Sequence, residues 1–230
     1  MLRKFLLGAV AAVSFLGIAN AADMPRAPAY YKAPPVAVFN WTGFYVGGTV
    51  GYGWGENRHL NTTTAAGSLD FDVDGFVAGA TLGYNWQAPG SRWVWGLELD
   101  LSYSDINGVL PVSPGFGCVA GCTTDLKWFG TFRGRLGYAF DRSVIYATGG
   151  LAFGEVEGQI VGLTGQGSET VAGWTAGAGI EFAIAPRWSM KAEYLYVSLD
   201  QAQYAVLLGT NLVVDDLNFH TVRLGVNYRW

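Results

Sequence analysis

The segment Trp93 to Tyr103, WVWGLELDLSY, constrains this chain more than any other. Trp93, Trp95, Leu97, Leu99, Leu101 and Tyr103 share one parity, and Val94, Gly96, Glu98, Asp100 and Ser102 share the other. A period of two marks a β-strand with unlike faces. The apolar face carries rings at both ends and leucines between them. That order suits a strand crossing a bilayer, with aromatics at both headgroup levels and aliphatics in the hydrocarbon. A soluble sandwich or barrel also alternates, but its solvent face would be denser in charge than Glu98 and Asp100 alone make this one.

The same alternation recurs in Phe44 to Trp54, Phe76 to Trp86, Leu126 to Phe140, Trp174 to Phe182, Trp188 to Tyr196 and Val222 to Trp230. Ser143 to Glu155 reads as a further strand whose outward parity is ambiguous. Connections at 88–92, 141–142 and 185–187 are tight, whereas 56–71, 106–124, 158–168 and 198–215 read as long loops. Short turns on one side and long loops on the other predict an all-β fold: an eight-stranded antiparallel transmembrane β-barrel. Closure is what lets strands live in lipid, because it leaves no unpaired edge. Charged residues make up 14% of the chain, against about 25% in an average soluble domain. A net charge of −4 and a pI near 5.1 argue against nucleic acid as a partner.

The first residues read as an address. Arg3 and Lys4 precede an apolar run from Phe5 to Ile18, followed by the small residues of Ala19-Asn20-Ala21. The run is shorter than the ~20 residues a spanning helix needs, so residues 1–21 are predicted to be a secretory signal peptide. Residues 22–40 contain Pro25, Pro28, Pro34 and Pro35 and read as a periplasmic arm. Residues 41–230 are the predicted barrel domain.

Parity also assigns the interior. Glu98, Asp100, Glu181 and Glu193 should face inward with Lys127, Arg133, Arg135, Lys191, Arg223 and Arg229. An eight-stranded lumen is just wide enough for side chains to fill. Unpaired charges there are costly, so these residues predict a salt-bridged plug, narrowed further by inward Tyr45 and Phe129. A wetter lumen that passes small ions is the competing reading.

Catalytic and metal chemistry find little footing. His59 falls in the first long loop beside Arg58. His220 shares the parity of Trp230 and should face lipid near the outer rim. A lipid-modifying enzyme could use such a histidine, but no serine lies within two residues and no acid is clearly placed to orient it. Two separated histidines and one cysteine pair do not make a metal site, and no cofactor is expected. Cys118 and Cys122, in CVAGC, fall in the second long loop. In an oxidising compartment they predict a loop disulfide, with a reactive or metal-binding thiol pair as the alternative.

WTGFYVGGTVGYGWG at 41–55, AADMP at 21–25, VIYATGGLAFG at 144–154 and the terminal VRLGVNYRW resemble the small outer-membrane β-barrel family common in alphaproteobacteria, the porin-family or outer-membrane-protein β-barrel domain. The resemblance implies an OmpA-type barrel in the outer membrane, surrounded by lipid and lipopolysaccharide. It implies a non-enzymatic envelope protein that supports the membrane and presents surface loops; a narrow porin-like channel is the alternative. Arg223, Gly225, Tyr228 and Trp230 resemble the C-terminal signal read by the barrel-assembly machinery, to which an exposed last strand can pair edge to edge. The N-terminal arm and the C-terminus would then be periplasmic.

Overall fold

The computed structural model describes residues 39–61, 68–112, 121–160, 166–200, 202–206 and 210–230. They form nine strand segments: β1 (Gly43–Asn61), β2 (Ser68–Gln87), β3 (Trp93–Leu110), β4 (Cys122–Phe140), β5 (Ser143–Ile160), β6 (Gln166–Ala185), β7 (Trp188–Leu199), β8 (Ala202–Val206) and β9 (Thr210–Arg229). All neighbours pair antiparallel, and β9 pairs with both β7 and β1, which closes the ring. β8 takes up the pairing with β9 in the register that β7 leaves, so the two form one stave interrupted near Asp200. The Asp200 amide donates sideways to the Ala172 carbonyl at 2.9 Å. Eight staves therefore make a closed barrel.

The short turns lie at one end. Gly90 has φ +78° in the β2–β3 turn, and Asp141 has φ 55° in the two-residue β4–β5 turn; aspartate is one of the few side chains that tolerates that region. At this end the amides of Ala139, Ala183 and Arg229 donate to the carbonyls of Arg92, Arg142 and Arg187 at 2.7–2.8 Å.

At the other end the sequence reading needs correction. The stretches expected to be long loops are largely strand: β1 runs to Asn61, β3 to Leu110, β5 to Ile160, and β9 begins at Thr210. A bilayer crossing uses about 9–11 tilted residues, so staves of 18 to 20 residues project well beyond it. Polar residues at alternate positions there look like loop in a sequence, but they are the wet faces of paired strands.

The two faces exchange character along the barrel axis. Near the short turns the outside is apolar and the inside ionic. On β4, Leu136 and Phe132 face out while Arg135 and Arg133 are buried; on β9, Leu224 and Val222 face out while Arg223 is buried. Toward the long hairpins the order reverses. Val73, Ile106, Leu126, Phe129, Leu195, Leu199 and Phe219 pack inside as one apolar cluster, and Asp70, Asp72, Asp74 and Asp105 lie on the exposed outer surface. The lower part is thus built for lipid outside and the upper part for water outside. Rings mark the change: Tyr52, Trp54, Tyr103 and Trp174 form an upper belt, and Phe44, Trp93, Trp188 and Trp230 a lower one, all substantially exposed. β5 resolves its ambiguous parity by burying Val144, Tyr146, Ala152 and Val156 and turning Ile145 and Leu151 outward.

Candidate functional site

The lumen is the chemically distinctive part of the molecule. At its centre Glu98 receives Arg133 in a direct hydrogen bond and Lys191 Nζ at 3.1 Å. Glu193 receives hydrogen bonds from Arg223 Nη2 at 2.6 Å and the Tyr146 hydroxyl at 3.0 Å, and forms an ion pair with Arg133 Nη1 at 3.2 Å. Asp100 receives the other nitrogen of Arg223 at 2.8 Å and the Ser102 hydroxyl at 3.1 Å. Nearer the short turns Glu181 binds Arg135 directly, accepts from Ser189 at 2.5 Å and Asn227 at 3.0 Å, and faces Arg229 at 3.5 Å. These side chains come from β3, β4, β5, β6, β7 and β9, so the network ties the ring across its diameter. The Arg133 and Arg223 residues are 0% and 1% exposed, which leaves protein groups, not solvent, to balance them.

Small residues make the network possible. A Cβ at Gly179 would meet the Tyr146 ring at 2.5 Å, and one at Gly225 would meet Lys191 Cγ at 3.1 Å. Glycine at these lumenal positions is space for a neighbour's long side chain.

Two apolar layers bracket the ions. Above lies the cluster around Phe129 and Phe219, whose rings meet edge to face at 5.3 Å. Below, the chain before β1 turns into the short-turn mouth. Trp41, 0% exposed, packs with Val94, Ala139, Val144 and Ala183, and Phe39 lies partly buried against them. The Trp41 amide donates to Gln87 Oε1 at 2.9 Å. The strap has no counterpart in the charged parity, and of the upper apolar layer the sequence pattern placed Phe129 inside. The period-two pattern of β7 does carry a signal, since Lys191 and Glu193 are followed on the same face by Leu195, Val197 and Leu199.

One interior assignment is overturned. Lys127 is not lumenal: it lies half-exposed on the outer surface, 3.6 Å from Glu157, while Leu126, expected to face lipid, is buried inside. The cause is a β-bulge. The β4–β5 register shifts between Leu126 and Trp128, leaving Lys127 as the extra residue. One inserted residue moves every side chain beyond it to the opposite face.

His220 sits on the outer wall in the upper belt, its Nδ1 2.6 Å from the Tyr194 hydroxyl. The Trp54 and Tyr194 rings stack near it at 6.0 and 5.9 Å. The His59 backbone belongs to β1, not to a loop, and its side chain lies outside the described residues. So do Cys118 and the side chain of Cys122. Tyr228 and Trp230 face outward in the lower belt, with Trp188 5.1 Å from Tyr228, while Arg223 and Gly225 face the lumen.

A closed antiparallel ring with a ringed apolar waist and a filled ionic interior defines an integral membrane β-barrel of the outer-membrane kind. The chain belongs to the outer membrane protein beta-barrel domain family, whose model matches residues 9–229. It is 38% identical over 248 residues to the 31 kDa outer-membrane immunogenic protein of Brucella melitensis, with 100% of each chain covered. It is 32% identical over 204 residues to the 22 kDa outer membrane protein of Rhizobium leguminosarum bv. viciae, covering 86% of this chain and 82% of that one. Among solved structures, the outer membrane protein OprG from Pseudomonas aeruginosa aligns with a TM-score of 0.48 at 11% identity, covering 84% of this chain and 99% of that one. This protein is an integral outer-membrane β-barrel in a lipid and lipopolysaccharide environment.

Proposed function

We propose that the protein is a non-enzymatic, sealed barrel that supports the envelope and presents four hairpins above the membrane. The observation that carries this reading is the filled lumen. The Glu98–Arg133–Glu193–Arg223–Asp100 chain of ion pairs spans it between two apolar layers. Breaking buried ion pairs to pass a solute would leave unpaired charges in a site closed to bulk solvent, a cost of several kcal/mol each. A non-enzymatic role is supported at His220, whose closest partners are aromatic side chains.

The short turns are taken to be periplasmic, with the N-terminal arm and the C-terminus. The turn lengths support this orientation, with tight turns at 88–92, 141–142 and 186–187 and long hairpins at the other end. Residues 1–21 are taken as the signal peptide, and residues 22–40 as the arm. The Cys118–Cys122 disulfide would stiffen the hairpin between β3 and β4. Arg223, Gly225, Tyr228 and Trp230 would be read by the assembly machinery before β9 closes onto β1. Planar-bilayer recording tests the sealed lumen. Pure protein should give no steady single-channel current; large, stable currents would favour the narrow channel instead. Proteolysis of whole cells should cut the long hairpins and spare the short turns.

A further inference from the structure

The buried ions divide into two sets of unequal charge. Glu98, Asp100 and Glu193 meet Arg133, Lys191 and Arg223, three against three. Among the described residues, Glu181 alone faces both Arg135 and Arg229. The surplus positive charge therefore sits at the short-turn end.

Arg135 takes the larger share of Glu181. It bonds that carboxylate directly, lies 3.5 Å from the Tyr45 hydroxyl, and stacks on the Tyr146 ring at 3.5 Å. Arg229 is left with Glu181 at 3.5 Å and the Asn40 carbonyl at 3.5 Å. Its Nε and Nη2 have no hydrogen-bond partner among the described residues, although an arginine stays charged wherever it is placed. Solvent does little for it, since Arg229 is 6% exposed and lies over the Trp41 ring at 4.5 Å. Two more buried donors at this end lack partners among the described residues, the Trp41 indole Nε1 and Asn85 Nδ2; the Asn85 and Asn227 Oδ1 acceptors are unpaired as well. Asn85 and Arg229 flank β1 on either side, opposite Gly43 and Tyr45. An under-compensated buried cation with unpaired donors beside it is a place where an anion from outside the described residues would be stabilised.

We propose that the short-turn end of the lumen binds one small inorganic anion of the halide class against Arg229, with the Trp41 indole and the Asn85 amide as further donors. A single negative charge matches the surplus, and the ring of Trp41 across the mouth favours a small ion. The site does not depend on whether the barrel conducts.

Bromide is the probe. The full chain, refolded in neutral detergent, is melted in bromide and in gluconate at constant ionic strength and scored by heat-modifiable gel migration. Bromide should raise the midpoint saturably, and crystals grown in bromide should show an anomalous peak beside Arg229. Trp41→Phe keeps the ring and removes the donor, and should weaken bromide binding about tenfold, the loss of one hydrogen bond to a charged group. Arg229→Gln should abolish the response. Equal midpoints in bromide and gluconate, or an undiminished bromide response in Arg229→Gln, would overturn the proposal. If Arg229→Gln does not refold, the wild-type crystal decides: bromide beside Arg229 supports the site, and its absence there overturns it.

Discussion

Replacing Glu193 with leucine should be among the most damaging single changes in the barrel. The carboxylate holds Arg223 at 2.6 Å, Arg133 at 3.2 Å and the Tyr146 hydroxyl at 3.0 Å. Without it, Arg133, Lys191 and Arg223 face only Glu98 and Asp100, and the surplus cation has no water to reach. Removing one partner of a buried pair costs about 3–5 kcal/mol. Leucine fills similar volume, so most of that loss is electrostatic. Urea unfolding of the refolded protein in lipid vesicles measures it as a lowered midpoint at unchanged slope. Adding Arg133→Met should restore much of the loss, because Glu98 keeps Lys191 and Asp100 keeps Arg223, and a buried ion pair replaced by apolar side chains of similar size is often neutral in stability. A Glu193→Leu midpoint within about 1 kcal/mol of wild type, which is the worth of an exposed pair, would mean that the network is hydrated and the sealed lumen is wrong.

Three further outcomes probe other parts of the fold. Leu99→Arg, on the lipid face in mid-strand, should cost about 2–4 kcal/mol more than Leu99→Ala, read in the same unfolding assay. Gly179→Val should push Tyr146 off Glu193 and cost about 1–3 kcal/mol by overpacking; a neutral effect would show that the lumen has slack. Lys127→Ala should change stability by no more than about 0.5 kcal/mol, whereas Lys191→Ala should cost several times that; comparable losses would put Lys127 back inside.

The alternation of rings and leucines from Trp93 to Tyr103, against Glu98 and Asp100, was enough to specify strands, a lipid-facing side and an ionic lumen. That legibility has a physical reason: period two is a local property, and lipid tolerates only a closed ring. The pairing of particular ions was not legible, because Arg133 and Glu193 stand on staves that meet only across the lumen. Nor was the extent of the strands, since above the bilayer the polar face moves outside and a strand in water shares its composition with a loop. Lys127 shows the limit most plainly. Its own neighbours in sequence put it inside, and a single extra residue in the β4 ladder, visible only once β5 is beside it, turns it to the surface. The strap of Phe39 and Trp41 likewise became part of the core only because the ring left a mouth for it to fill. Local pattern set the faces of each strand; the closed ring decided which side chains share the space inside it, because that depends on register and bulges summed around eight staves.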